Sequence, residues 1–220
     1  MMMILDCHTH RMPPQPQAVI CVSPAYFSPV AGQSYSLGIH PWNPEEATQE
    51  NLDLLLTVAR APEVVAIGEA GVDALRGAPL YQQALTFRRQ IEISEQLEKP
   101  LVIHDVKAHD TVAGLRRDFR PRQPWILHGF RAKPSVVEMM LKASPDFYFS
   151  FGEKWNPDSL RAVPRDRLLA ETDESALPIE EIIARISNIL GEDVTSTISA
   201  NTLRLFRGVE STSYTVRNLT

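Results

Sequence analysis

The sequence predicts an α/β protein with a TIM-like (β/α)8 barrel, and three observations support this prediction. Eight short apolar runs rich in Val, Ile and Leu recur along the 220 residues, as in buried parallel strands. Helical stretches separate the later runs, and this alternation favours a parallel sheet covered by helices. With 44% hydrophobic residues and no linker or internal repeat, residues 1–220 are expected to form a single domain.

The predicted elements follow one another in strand–helix order. The strands are expected at residues 3–10, 18–24, 35–42, 64–72, 100–106, 124–130, 146–152 and 167–173. Residues 44–60 begin with Pro and acidic residues and continue with Leu at helical spacing, which is typical of an amphipathic helix. Similar patterns predict helices at residues 79–99, 109–119, 133–144 and 178–190, and a closing helical turn at 201–206.

The chain is short for a complete barrel, which usually needs about 250 residues. The missing length lies after the first two strands, where the segments RMPPQPQ and SPAYFSPVAGQS are rich in Pro and too short for a crossover helix. We therefore expect the first one or two helices to be reduced to Pro-rich loops.

Charge and cysteine content narrow the possible function classes. The net charge of −5 argues against a protein that holds nucleic acid mainly by bulk positive charge, although bound divalent cations would leave a nuclease compatible with it. Cys7 and Cys21 form no CxxC pair and are interpreted as buried thiols in a reducing compartment. Without a signal peptide or a membrane-spanning apolar run, we expect a cytoplasmic protein with no membrane association and no obligate protein partner.

Residues suited to metal binding stand at the ends of several predicted strands. In LDCHTH, strand alternation places Asp6, His8 and His10 on one face, with Asp6 expected to orient a ligand or close the strand. Functional residues of an α/β barrel gather at the carboxyl ends of its strands. A single histidine there is more often structural, but six costly polar groups at the ends of apolar runs favour a metal site. The six candidate ligands are His8, His10, Glu69, His104, His128 and Asp173.

An ordered set of short motifs resembles the TatD family of metal-dependent hydrolases and deoxyribonucleases. The motifs are DCHTH, GIHPW, AIGEAGVD, LVIHDV, ILHGF, LLAETD and NTLRLF, and the resemblance runs from about residue 4 to residue 206. It implies two divalent metal ions at the barrel mouth, for which Zn, Mn, Mg, Fe and Ni are all candidates. It also implies DNA or another phosphodiester as the substrate.

The resemblance distributes the ligands between two metals. His8 and His10 match ligands of the first metal, and His104 and His128 match ligands of the second. Glu69 matches the carboxylate that bridges the two, and it is one of the two candidate catalytic residues.

Three further positions concern water and substrate. Asp173 matches the carboxylate on the first metal that orients the attacking water and accepts its proton, which makes it the second candidate catalytic residue. His40 matches a position near the substrate phosphate, although a hydrogen-bonded supporting histidine is an equally open reading. The family's usual Arg two positions after the fifth-strand histidine is replaced by Val106, so Arg131 is expected to contact the phosphate instead.

Three functions are compatible with these residues. The first is a metal-dependent hydrolase that cleaves phosphodiester bonds of DNA through a metal-activated water. The second keeps the metal site and acts on an amide, an ester or a lactone, because similar barrels host many chemistries. The third, a non-catalytic metal-binding barrel, is disfavoured because no matched ligand position carries a substitution.

Overall fold

A computed structural model describes residues 4–12 and 17–206 of the chain. Its eight strands are parallel and close into one barrel, in which each strand pairs with the next and the last pairs with the first. The strands are β1 (Asp6–Thr9), β2 (Ala18–Val22), β3 (Ser34–Leu37), β4 (Val64–Asp73), β5 (Leu101–Val106), β6 (Trp125–Leu127), β7 (Phe147–Phe151) and β8 (Leu168–Ala170). The predicted barrel is confirmed, and each strand overlaps its predicted run.

Helices cover the outside of the barrel from β3 onwards. They are α1 (Gln49–Val58), α2 (Leu80–Leu97), α3 (His109–Phe119), α4 (Pro134–Ala143), α5 (Pro157–Ala162), α6 (Ile179–Leu190) and α7 (Thr195–Leu205). Among these described helices, none has the length and apolar character needed to cross a membrane.

Three helices differ from the sequence prediction. Helix α7 begins at Thr195, six residues before the closing turn expected at residues 201–206. The helix expected at residues 44–60 begins later, because the Thr48 side chain accepts a hydrogen bond from the Asn51 backbone and caps α1 there. Helix α5 was not predicted, because its six residues are too few for a visible hydrophobic period. Its start is fixed by Asn156, whose side-chain oxygen accepts from two backbone N–H groups.

The β2–β3 connection contains only a single 3₁₀ turn at Pro24–Tyr26, in agreement with the expected loss of an early helix. The β1–β2 connection includes residues 13–16, which lie outside the described residues. The single domain predicted for residues 1–220 likewise includes residues outside the described ranges and stays a prediction.

The barrel interior changes character along the strand axis. Its amino-terminal part is a cluster of buried apolar side chains contributed by seven strands, and its members include Cys7, Val19, Val65, Val102, Ile126, Tyr148 and Leu169. Leu205 and Phe206 extend this cluster, and the Thr202 hydroxyl donates to the Ile4 carbonyl at 2.6 Å. Two residues further along their strands, polar side chains follow the apolar ones because strand side chains alternate. These polar residues are His104, His128, Ser150 and Glu171.

Candidate metal centre

The six predicted ligands converge at the carboxyl end of the barrel. His10, His128 and Asp173 lie just beyond the ends of their strands, and His8, Glu69 and His104 lie in the carboxyl-terminal halves of theirs. Among the described residues, three groups each offer atoms within 4.8 Å of one another, a spacing suited to one ion. These groups are His8, His10, Cys21 and Glu69; His8, His128 and Asp173; and His40, Glu69 and His104.

The Glu69 carboxylate lies between two sets of imidazoles. Its Oε2 atom is 3.5 Å from His8 Nε2 and 3.2 Å from His10 Nε2. Its Oε1 atom is 2.8 Å from His104 Nδ1 and 2.7 Å from His128 Nε2. One carboxylate oxygen therefore faces each pair of histidines.

The backbone around Glu69 is shaped to place this carboxylate. The pairing of β4 with β5 shifts register between Ile67 and Ala70, so an extra residue on β4 forms a bulge at Glu69. A Cβ atom at Gly38 would lie 2.6 Å from the Glu69 carbonyl oxygen, so only glycine allows the chain after β3 to approach β4 this closely. That approach brings the next part of the chain to the Glu69 side chain.

A similar bulge in β1 changes which side chains enter the barrel. The pairing of β1 with β2 shifts register between Asp6 and Thr9. Asp6 and Thr9 both bond to Thr172, with Asp6 Oδ2 2.6 Å and Thr9 Oγ1 2.7 Å from the Thr172 hydroxyl. The expectation that Asp6, His8 and His10 share one face is therefore wrong for Asp6, which closes the seam between β1 and β8.

The environment of His8 indicates that the site suits a metal ion. Its side chain is fully buried, and neither ring nitrogen has a hydrogen-bond partner among the described residues. Burying an imidazole without partners is unfavourable, whereas a histidine nitrogen aimed at carboxylates is a common metal ligand. Asp173 Oδ1 lies 3.9 Å from His8 Nε2 and 3.8 Å from His10 Nε2. The residues present therefore fit a divalent cation.

Asp173 is held against β1 by its own backbone. Its N–H donates to the His8 carbonyl at 3.0 Å, and its carbonyl accepts from the His10 N–H at 3.1 Å. Its φ angle of 52° is left-handed, a conformation that Asp adopts more readily than most residues. Burial raises the pKa of the Asp173 carboxyl, and the neighbouring Glu171 raises it further.

The charges at the centre are strongly coupled. Burial alone would raise the pKa of Glu69, yet His128 and hydrogen bonds from His10 and His104 hold it well below its usual range. Burial would lower the pKa of His128, but Glu69 and Glu171 raise it well above its ordinary value. Glu69 is thus an ionised carboxylate among imidazoles, a set of groups that can exchange protons for a cation.

Sequence reasoning did not identify two buried carboxylates that hold these histidines. Asp73 Oδ2 is 3.0 Å from His104 Nε2 and also accepts from the Trp42 indole N–H at 2.7 Å. Glu171 Oε1 is 3.5 Å from His128 Nδ1. Asp73 stands four residues after Glu69 in GEAGVD, and Glu171 stands two residues before Asp173 in ETD. These even spacings from predicted ligands were the available signal.

Both cysteines are buried, and Cys21 lies beside Glu69. Cys21 Sγ accepts from the Glu69 N–H at 3.3 Å, and burial raises the pKa of its thiol. Burial also raises the pKa of Cys7, whose thiol donates to Ser150 Oγ at 3.0 Å. Both are buried free thiols, as predicted.

Two clefts open onto the centre. The large cleft, of about 450 Å³, is bordered by the loops after β5 and β6 and is lined by Arg131, His104, His128 and Asp173 among others. The small cleft, of about 260 Å³, lies towards β2 and β3 and is lined by His10, His40 and Glu69 among others. Trp42 is 37% exposed and borders both clefts.

The two predicted substrate-binding residues occupy different places. Arg131 is an exposed residue on the wall of the large cleft. His40 instead contacts the centre itself, with Nε2 3.0 Å from Glu69 Oε1. The supporting reading of His40 is therefore the one that this contact favours.

Comparison with known proteins identifies similarity to one family. A family model described as TatD related DNase matches residues 31–207. The uncharacterized metal-dependent hydrolase YabD of Bacillus subtilis is 29% identical over 197 residues, which cover 78% of this chain and 76% of YabD. The 3′-5′ ssDNA/RNA exonuclease TatD of Erwinia billingiae is 34% identical over 148 residues, 62% of this chain. The chain spans 55% of that relative's length.

A solved structure supports the fold independently. YjjV, a TatD homologue from Escherichia coli K12, superposes with a TM-score of 0.80 at 19% identity, over 93% of this chain and 98% of YjjV. The family model covers well over half of the sequence. The protein therefore belongs to the TatD-related DNase family of metal-dependent hydrolases, as its ordered motifs predicted.

Proposed function

We propose that the protein hydrolyses phosphodiester bonds of nucleic acid, with DNA as the first candidate substrate, using two divalent metal ions. The observation that carries this proposal is the division of the Glu69 carboxylate between two pairs of histidines. The nuclease names of several relatives support the choice of substrate. Mixed imidazole and carboxylate donors suit Zn, Mn, Fe or Ni, and Mg remains a candidate.

In this proposal each donor set holds one ion. His8, His10 and Asp173 would hold the first, His104 and His128 the second, and Glu69 would bind both. When bound, such ions supply Lewis-acid activation of water and of the phosphate. Asp73 hydrogen bonds the His104 ring from behind, as carboxylates commonly do for metal-binding histidines, and Glu171 Oε1 forms a 3.5 Å ion pair with His128 Nδ1.

Asp173 is the proposed proton acceptor. It lines the large cleft, and its side chain is 27% exposed, so a water molecule can reach its carboxylate. Burial raises the pKa of its carboxyl above the usual value for an aspartate. Glu69 is not assigned this role, because both of its carboxylate oxygens already face histidines.

Substrate binding is assigned to the cleft walls. Arg131 on the large cleft can hold a phosphate with two parallel hydrogen bonds. We retain His40 as a candidate for substrate contact through the small cleft, which it lines while bonding Glu69. The buried free thiols of Cys7 and Cys21 suit a reducing compartment, and we propose that the protein acts in the cytoplasm.

The test compares substrates of different bond types. The protein, supplied in turn with Mn²⁺, Zn²⁺ and Mg²⁺, is incubated with a single-stranded DNA oligonucleotide and with a panel of amides and lactones. We expect cleavage of the oligonucleotide, abolished by EDTA and by His8→Ala. Hydrolysis of an amide or lactone without cleavage of the oligonucleotide would replace the proposal with the amidohydrolase reading.

A further inference from the structure

The large cleft has a histidine–carboxylate pair that the metal centre does not use. His109, the first residue of α3, lies with Nδ1 2.7 Å from Asp105 Oδ2. The Asp105 side chain is 5% exposed, whereas that of His109 is 23% exposed. Both residues line the large cleft beside His104 and His128.

The bond to Asp105 determines which His109 nitrogen faces the substrate. Nδ1 is committed to Asp105, so Nε2 is the nitrogen left for the cleft, and it has no hydrogen-bond partner among the described residues. Asp105 Oδ1 also accepts from the Ala108 N–H at 3.3 Å, which fixes the carboxylate against the turn before α3. The hydrogen bond to Asp105 raises the pKa of His109. A protonated ring would present an N–H donor to the cleft.

The two clefts differ in charge. The wall of the large cleft carries Lys107 and Arg131 on either side of the β5–β6 region, together with His109. Among the residues that line the small cleft, none is Lys or Arg, and Glu46 is acidic. Glu174 lines both clefts, and Asp105 and Asp173 also line the large one. The basic side chains that could pair with the phosphates of a polyanion therefore lie along the large cleft and not along the small one.

We infer that His109, oriented by Asp105, binds a phosphate next to the scissile one, in a subsite shared with Lys107. This inference rests on the proposed function and names where the rest of the nucleic acid lies. A positively charged donor bonded to a phosphate oxygen typically changes affinity by about tenfold or more. The subsite would favour a chain of nucleotides over an isolated phosphodiester.

The test removes the phosphate charge and the histidine separately. Single methylphosphonate linkages, which are neutral, are placed at successive positions beside the cleaved bond of a labelled oligonucleotide. In the wild-type protein, one position is expected to raise KM about tenfold. In His109→Asn the same linkage is expected to have little further effect, because the asparagine amide replaces Nδ1 and keeps Asp105 bonded while the Nε2 donor is lost.

Asp110→Asn is the matched control, since Asp110 is on the same first turn and does not line the cleft. That variant should keep the full methylphosphonate effect. If the Asp105–His109 pair only stabilises the turn, His109→Asn will lower Tm and leave the methylphosphonate effect intact, which overturns the inference.

A binding measurement separates this inference from the proposed function. Fluorescence anisotropy with Glu69→Gln protein gives the affinity for each oligonucleotide without cleavage. The inference predicts that the methylphosphonate penalty on Kd disappears when His109→Asn is added. Equal penalties with and without His109, or no binding of any oligonucleotide, overturn it. Failure of the wild-type protein to cleave DNA overturns the proposed function instead.

Discussion

The two ends of the barrel interior are built from the same strands but from opposite kinds of side chain. On three of the strands, a buried aliphatic side chain is followed two residues later by an ionisable side chain. The pairs are Val102 and His104 on β5, Ile126 on β6 with His128 just after it, and Leu169 on β8 with Glu171 just after it. The apolar end stabilises the fold by removing aliphatic surface from water. The polar end is costly to bury and is where the chemistry is expected.

The cost of burial is concentrated at the polar end. Six buried side-chain polar atoms lack a hydrogen-bond partner among the described residues, and four of them belong to His8, His128 and Glu171. Such atoms are uncommon in folded proteins unless a ligand satisfies them. This difference predicts that stability depends mainly on the apolar end of the barrel and activity mainly on the polar end. Substitutions at each end can test this prediction.

The largest expected effect is on activity at the polar end. Glu69→Ala removes the carboxylate shared by the two donor sets, and hydrolysis should fall by about 10³-fold or more. The circular dichroism spectrum should stay that of a folded barrel, because β4 keeps its backbone pairing. Steady-state rates with a saturating divalent cation measure the loss.

Glu138→Gln, at an exposed position on α4, is the control for loss of a carboxylate and should retain full activity. Full activity in Glu69→Ala would contradict the assignment of function to the polar end.

The next effect is on stability at the apolar end. Ile126 is 0% exposed and contacts the other aliphatic side chains of the interior. Ile126→Ala should lower the free energy of unfolding by about 2–5 kcal/mol, and Ile126→Val by about 1 kcal/mol. Urea denaturation measures both changes. For both variants, kcat/KM should stay within about twofold of wild type at temperatures where the protein is folded. A loss of activity comparable to that of Glu69→Ala would contradict the assignment of stability to one end and activity to the other.

A pH effect is expected at the seam between β1 and β8. Burial raises the pKa of Asp6 to about 7 from 3.8, so the folded state binds more protons than the unfolded state between these values. The contribution of Asp6 to stability therefore decreases as pH rises from 4 to 7, by at most about 1.4 kcal/mol per pH unit. Asp6→Asn does not titrate, and its amide can still bond both Thr172 groups that Asp6 contacts.

The difference in unfolding free energy between Asp6→Asn and wild type should therefore change in favour of the variant across this range. Urea denaturation in EDTA at several pH values measures it, with the exposed Asp110→Asn as a flat control. A difference that is constant, or that changes in favour of wild type, would show that Asp6 is ionised in the folded protein throughout.

The smallest expected effect concerns the cleft wall. Arg131→Ala should raise KM for an oligonucleotide about tenfold while kcat changes little, because the contact proposed for Arg131 is with the bound phosphate and not with the reacting water. Arg161→Ala, on the exposed surface of α5, should leave KM unchanged. An unaltered KM in Arg131→Ala would remove this residue from the proposed phosphate contact.

The sequence predicted the barrel and the residues that meet at its mouth because these depend on local pattern. His104 and His128 end short apolar runs, and parallel strands bring such ends together whatever the sequence between them. Asp6 was placed on the wrong face because the β1 bulge depends on its pairing with β2, which period-two alternation does not include. Asp73 and Glu171 were missed because their partners lie on other strands.

Metal binding by the purified protein is the most direct test of the centre. Equilibrium titration with Mn²⁺ or Zn²⁺ should show tight binding to the wild-type protein and at least a tenfold weaker affinity in His8→Ala, with Ile126→Val unchanged. No binding by the wild-type protein, or equal affinity in His8→Ala, would contradict the convergence of these histidines on a cation.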